Sequence, residues 1–465
     1  MIEALKKHSI VLIIGDVAVF ALGLFLTLVI RYLKFPPTWE RLNEHLLPFS
    51  FVFILWILIY YIAGLYSREI ILRKSDLLAT LIKAQISGGV VGALFFYLLP
   101  FFEISPRVNL FLNLFITFIL VGLWRFFARY FFHPKKESIL IIAAGPEVAE
   151  FSKEIEMHPS YSIAVAAKLR PEEFESQFSN NAASFMEFLK TNKISLVAAD
   201  FSAILSPKGA SLLYHSLEKN LRLTDFKELY ENIFQKVPIS LLKEDWFLKN
   251  ITGRGKNSYL VLKRILDIVI ALILLVPAAI LSPFIFLAIF FASLGDIPSR
   301  RVKRARPGDG IIFFSQKRVG ERGGVFDFIK FRSYSLGAEK MAHTKDVPND
   351  SRNYAVGKLL RKLYLDELPQ LLNVLKGEMS LVGPRPERPE YVEELKKKIP
   401  YYEMRLLIPP GITGWAQINM KNDASVEDAP EKILYDLYYM KNMSLWLDLR
   451  ILLKTIAIVL SRSGK

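Results

Sequence analysis

Apolar residues fall into four long blocks at the start of the chain. Ile10 to Ile30 is apolar except for Asp16 and Thr27, and Phe49 to Leu65 is apolar and aromatic. Leu77 to Leu99 carries one charge, Lys83, and Val108 to Leu123 carries Asn109 and Asn113. Each block approaches the roughly 20 residues that cross a bilayer, which predicts four transmembrane helices within residues 1–130. The first block is too long for a cleaved signal peptide, and no small-residue cleavage site follows it. Beyond residue 137 the pattern changes to short apolar runs between polar ones. Ile139 to Ala143 and Ile194 to Asp200 read as buried strands, with a helix expected over Glu147 to Met157. Alternating strands and helices predict a parallel sheet of Rossmann type in a middle domain at 137–250. A fifth apolar block, Ile265 to Leu294, is interrupted only by Asp267, Ser282 and Ser293.

Charge changes how the fifth block is read. Lys263 and Arg264 precede it, and Arg300, Arg301, Lys303, Arg304 and Arg306 follow it. Lys6 and Lys7, then Arg68, Arg73 and Lys74, then Arg125, Arg129, Lys135 and Lys136 put both ends of the four-span unit on the cytoplasmic side by the positive-inside rule. A fifth crossing would place one basic cluster outside. Pro277 and the pair Ser282-Pro283 interrupt the block, and proline disfavours helical backbone before it. A re-entrant helix over 264–294, bending at Ser282-Pro283, keeps both basic ends on one side; by length alone a kinked crossing helix is the competing reading.

Composition narrows the class. The chain has 465 residues, is 52% hydrophobic with 35 Phe, and carries a net charge of +15, which suits a basic membrane protein facing anionic lipid better than a nucleic-acid binder. It has no cysteine, hence no disulfide framework and no thiolate zinc site. In the middle domain the glycine-rich dinucleotide loop is missing: Ala143-Ala144-Gly145-Pro146 offers one glycine and a proline. One glycine cannot supply both the tight turn and the close approach to a pyrophosphate. A degenerate structural or regulatory domain is expected there.

From Gly308 onward the chain is dense in chemistry. Ile311 to Gly320 and Phe328 to Ser333 flank Glu321-Arg322-Gly323-Gly324, which suits a hairpin turn. Arg361 follows, then Leu365-Asp366-Glu367-Leu368-Pro369-Gln370, where two carboxylates stand at a predicted helix start that Gly377 can end. A helix N-terminus favours an ionised carboxylate and attracts phosphate, so Asp366 is a plausible nucleophile as well as a plain helix cap. In Gly383-Pro384-Arg385-Pro386 the prolines fix the backbone of Arg385, which suits an aimed guanidinium for phosphate.

Residues 263–465 resemble the bacterial sugar transferases, the monotopic polyprenyl-phosphate phosphoglycosyl transferases. The resemblance rests on Lys263-Arg264-x-x-Asp267, Ser282-Pro283, Gln316-x-Arg318-Val319-Gly320, Lys330 to Ser333, Leu365 to Gln370, Gly383 to Pro386, Pro410 to Gln417 and Trp446-Leu447-Asp448. It implies transfer of a sugar 1-phosphate from a UDP-sugar to polyprenyl (undecaprenyl) phosphate, with release of UMP. Asp366 is then the nucleophile of a phosphosugar-aspartyl intermediate, with Glu367 supporting it and Mg²⁺ bound at the pair. Lys330, Arg361, Arg385 and Gln417 match positions that hold substrate or phosphate. The four spans and middle domain resemble the large members of that family, which implies a multi-pass protein of the bacterial inner membrane with cytoplasmic soluble domains. The fold expected is a four-span α-helical bundle (1–130), an α/β Rossmann-like domain (137–250) and an α-rich α+β catalytic domain (259–465). A homodimer is compatible with the aromatic spans and extra domain. Tyr334, where the family commonly has Met, and the individual loop 338–353 touch the choice of sugar rather than the reaction. A membrane-anchored nucleotide-sugar dehydratase would need the missing glycine loop beside a Tyr-x-x-x-Lys pair, here only Tyr259 and Lys263. A non-catalytic scaffold of polysaccharide assembly would not need the acidic pair and its basic partners.

Overall fold

A computed structural model of the chain describes residues 2–33, 38–66, 74–98, 107–131, 137–158, 161–178, 181–203, 207–216, 221–251, 256–293, 310–334, 355–420 and 427–460. The basic run Arg300 to Arg306, the residues Arg68, Arg73, Lys135 and Lys136, and the loop 338–353 lie outside these. The chain divides into two units, Met1–Phe226 and Lys227–Lys465.

The first unit opens with α1 (Ile2–Tyr32), α2 (Trp39–Ile62), α3 (Lys74–Leu98) and α4 (Arg107–Phe131). Helix α1 packs on α2 and α4, and α3 on α2 and α4. All four are long and apolar enough to cross a membrane. The second begins ten residues before the expected Phe49, because the stretch ahead of the apolar run is held by its polar groups: buried His45 meets the Asn109 amide at 2.9 Å. Most polar residues within the spans turn inward, with Lys83 exposed. Asp16 and Arg125, both fully buried, pair at 2.6 Å. Gln85 accepts from Tyr60 at 2.6 Å and donates to Thr117 at 3.0 Å. On α4, Asn109, Asn113, Thr117 and Arg125 recur at multiples of four residues, which puts them on one face toward the bundle interior, away from hydrocarbon.

Beyond the spans come β1 (Glu137–Ile142), α5 (Pro146–Met157), β2 (Ile163–Leu169), α6 (Pro171–Phe178), α7 (Ala182–Thr191), β3 (Leu196–Ala199), α8 (Pro207–Ser216) and β4 (Arg222–Asp225). The strands form a parallel sheet in the order β2-β1-β3-β4. Continuous burial of Ile139 to Ile142 and Leu196 to Ala199 explains their unbroken apolar pattern, since central parallel strands are covered on both faces. Gly145, at φ 107°, joins β1 to α5.

The second unit contains α9 (Phe226–Phe234, whose first residue closes the first unit), α10 (Glu244–Asn250), α11 (Lys256–Ser293), β5 (Phe313–Val319), β6 (Val325–Phe331), α12 (Ala355–Lys362), α13 (Gln370–Lys376), β7 (Ser380–Val382), α14 (Pro389–Lys398), β8 (Gly411–Thr413), α15 (Trp415–Asn419), α16 (Ala429–Asn442) and α17 (Leu445–Leu460). Val237, Leu242, Trp246 and Phe247, grouped from sequence with the middle domain, pack instead into the core of this unit. Trp415 Nε1 donates to Gln235 O at 2.8 Å, and Val237 N to Leu434 O at 3.1 Å.

Helix α11 carries the block expected to bend at Ser282-Pro283. It is helical from Lys256 to Ser293 without interruption at Ser282-Pro283. A proline removes one N–H from the ladder and bends a helix more readily than it ends one in an apolar setting. Ser282 Oγ donates to Ala278 O at 2.6 Å, so its hydroxyl is satisfied within the helix. One narrow stripe of α11 is buried, from Lys263 and Asp267 through Ala271 and Ala278 to Ile285, Ile289 and Ser293. Ala271 and Ala278 join the core with Leu371 and Val374, and Ile285 and Ile289 cluster with Ile312, Phe331 and Leu360. The opposite face leaves Ile273, Val276, Ile280, Phe284 and Phe291 exposed. The first turns are fastened by polar contacts. Lys263 Nζ meets Asp448 at 3.1 Å, Arg264 donates to Val374 O and Leu375 O, and Asp267 accepts from Leu381 N at 3.1 Å.

Strands β7 and β8 bring two glycine motifs into backbone contact. A Cβ at Gly383 would lie 2.4 Å from Pro409 O, one at Gly411 2.1 Å from Gly383 N, and one at Gly414 2.2 Å from Gly383 O. Gly411→Ala is therefore expected to cost about 3 kcal/mol by overpacking, which lowers the melting midpoint of the purified protein by roughly 6–12 °C. An unchanged midpoint would contradict the interlock.

Candidate active site

The acidic pair sits in an irregular link between α12 and α13. Tyr364 takes left-handed backbone, φ 54°, and turns the chain into a short 3₁₀ segment, Leu365–Glu367. Helix α13 starts only at Gln370, with Pro369 ahead of it at φ −62°, and ends at Gly377, φ 88°. Asp366 therefore does not cap α13, as the sequence suggested; it lies one turn earlier. The flanking Leu365 and Leu368 pack on the cluster that includes Ile285 and Ile289, so the far half of α11 supports the turn that carries Asp366.

This turn faces the hairpin β5–β6, whose register pairs Phe314 with Lys330. Asp366 is only 6% exposed, and Ser333 Oγ lies 3.4 Å from its Oδ2. Arg361 donates to Ser333 O and stacks 3.9 Å over the Tyr334 ring. Arg385 lies 3.6 Å from Glu367. The Lys330 ammonium rests 5.1 Å over the Phe314 ring.

Burial sets the electrostatics. It pushes the Asp366 carboxyl above the usual carboxylate range, and the charges of Lys330 and Arg361 work against that rise. Burial likewise lowers the Lys330 ammonium, opposed by Asp366 and Glu367 and reinforced by Arg318 and Arg385. The two opposed shifts share one cause, burial of both groups.

Five of the residues picked from sequence thus meet: Asp366, Glu367, Lys330, Arg361 and Arg385. Gln417 turns inward, donating to Ile412 O at 3.2 Å, with no partner in the Asp366 group among the described residues. Tyr259 and Lys263 both engage Asp448, at 2.7 and 3.1 Å, which fits an anchor of α11 and not a dehydratase pair. Sequence reasoning missed Arg405. Its signal was a lone charge in the apolar run Met404 to Ile408, which announces a buried and paired residue.

A family model described as "Bacterial sugar transferase" matches residues 258–462. The UDP-N-acetylgalactosamine-undecaprenyl-phosphate N-acetylgalactosaminephosphotransferase of Aeromonas hydrophila is 44% identical over 163 residues, 35% of this chain and 38% of the relative. The undecaprenyl-phosphate galactose phosphotransferase of Salmonella typhimurium is 36% identical over 225 residues, 45% of this chain and 43% of the relative. The uncharacterized sugar transferase EpsL of Bacillus subtilis is 38% identical over 205 residues, 44% of this chain but 90% of the relative. The chain spans less than half the length of the first two relatives.

Proposed function

Because the chain belongs to the bacterial sugar transferase family, we propose that its second unit transfers a sugar 1-phosphate from a UDP-sugar to polyprenyl phosphate, releasing UMP. The observation that carries this is a buried Asp366 beside Glu367, with Lys330, Arg361 and Arg385 gathered on the pair. The relatives named as undecaprenyl-phosphate galactose and N-acetylgalactosamine phosphotransferases support the donor and acceptor classes.

The reaction proceeds in two displacements. An Asp366 carboxylate oxygen bonds to the sugar-bearing phosphorus of the donor, the bond to the bridging oxygen breaks, and UMP leaves with that electron pair. A phosphate oxygen of the polyprenyl carrier then attacks the same phosphorus and frees the carboxylate. Two anions must meet in each step, and the cationic groups offset their repulsion. Splitting the transfer lets a soluble donor and a membrane-bound acceptor use one site in turn. Two adjacent carboxylates fit Mg²⁺, which commonly takes one or two carboxylates together with substrate phosphates. When bound there it would neutralise charge on the diphosphate.

Helix α11 supports a membrane placement for this unit. The helix is itself long and apolar enough to cross a membrane, and the packing of Ala271, Ala278, Ile285 and Ile289 on its own domain favours the re-entrant reading over a crossing. It dips into the membrane by its exposed apolar face, re-entrant in topology, and holds Asp366 at the headgroup level of the bacterial inner membrane, with the soluble parts cytoplasmic. The middle domain is a Rossmann-like sheet without a dinucleotide loop, structural or regulatory in role.

The pH profile tests the electrostatics. Asp366 attacks only when ionised, so the first displacement rises with pH through a pKa above the ordinary ~3.9. Lys330→Gln removes a charge that lowers this pKa and is expected to move the acid limb to higher pH; a move to lower pH would contradict the arrangement. The function itself is tested by UMP release from a panel of UDP-sugars, with and without polyprenyl phosphate. Sustained release with one donor that requires the acceptor is expected, and silence across the panel would sink the proposal.

A further inference from the structure

Arg385 stands on a segment that cannot hold itself. Pro384 and Pro386 have no N–H, and Pro384 to Glu387 belongs to no helix or strand. All four of its carbonyls are instead pinned from outside. Gly411 N donates to Pro384 O at 2.9 Å and Val319 N to Glu387 O at 2.9 Å. Arg405 Nη2 donates to Arg385 O at 2.9 Å, and Arg318 Nη1 to Pro386 O at 3.0 Å. The Glu387 carboxylate is bracketed by Arg318 at 3.6 Å and Lys432 at 3.5 Å.

Arg405 is the most constrained member. It is 4% exposed and uses all three guanidinium nitrogens on three separate segments: Nε on Asp436 at 2.9 Å, Nη1 on Tyr402 at 2.8 Å, Nη2 on Arg385 O. We propose that Arg405 is a positioning residue for phosphate recognition, aiming the Arg385 side chain by fixing the carbonyl of Arg385 itself. The inference rests on the transferase reading. A lysine keeps the charge but cannot reach three partners in one plane, so Arg405→Lys isolates geometry from charge.

The test is a double-mutant cycle on the full chain in lipid nanodiscs, read as kcat/KM for the UDP-sugar in UMP release. Arg405→Lys alone is expected to lose about 10–100-fold. In an Arg385→Ala background the same change is expected to lose less than about threefold, because the group it aims is gone. A purely structural role would give the same factor in both backgrounds, and that result overturns the inference. If Arg405→Lys does not accumulate as folded protein, Tyr402→Phe, which removes one partner of Arg405, replaces it in the cycle. The same non-additivity is expected, and equal factors again overturn the proposal. A wild type that releases no UMP with any donor overturns the transferase reading and this inference with it; an active wild type with equal factors overturns the inference alone.

Discussion

Asp366→Asn is expected to lower UMP release by about 10⁴-fold or more while the protein still folds. The amide keeps the shape of the carboxyl and can still accept from Ser333 Oγ, which lies 3.4 Å from Oδ2. It cannot attack phosphorus. The cations around it, Lys330 and Arg361, act on the charge that the substitution removes. The 3₁₀ turn is held by Leu365 and Leu368 against Ile285 and Ile289, contacts that the substitution does not touch. Steady-state UMP release together with a melting curve checks this. Turnover within tenfold of wild type would remove Asp366 from the nucleophile's role.

Arg385→Ala is expected to cost about 10²–10³-fold in kcat/KM for the donor. Its guanidinium lies 3.6 Å from Glu367 with a third of the side chain exposed, so it has nitrogens left for a diphosphate while it keeps its partner. A planar fork matches two phosphate oxygens at once, which a single ammonium cannot do. Arg385→Lys should therefore recover only part of the loss. Kinetics across a donor titration check this, and a loss below threefold for the alanine variant would contradict a phosphate role.

Much of this was legible in the chain because hydrophobic pattern and turn chemistry act locally. Four apolar blocks become four long helices, and Gly377 ends α13 in the left-handed conformation that a helix-terminating glycine adopts. Glu321 to Gly324 joins β5 to β6, with Arg322 and Gly323 both at positive φ. What escaped depended on contacts distant in sequence. The support of α11 is one case: Ala278 and Ile285, on either side of Ser282-Pro283, pack into clusters whose other members lie far along the chain. Asp366 reads as a cap, yet Tyr364 and the 3₁₀ turn displace the helix start to Gln370. Val237 to Phe247 carries an ordinary apolar pattern that reads on from the middle segment, and only the packing groups it with the core of the second unit. Arg405 reads as one basic residue among 60, and its three partners lie 3, 20 and 31 positions away.

The central claim is that Asp366 takes the donor's sugar phosphate covalently before the lipid acceptor arrives. Intact-mass and peptide-mapping mass spectrometry of the protein, incubated with its UDP-sugar and Mg²⁺ but no polyprenyl phosphate, tests it most directly. The expected result is one equivalent of UMP per protein and a phosphosugar adduct on the peptide containing Asp366, absent in Asp366→Asn and discharged when polyprenyl phosphate is added. UMP formed only when the acceptor is present, with no adduct at any time, would contradict it.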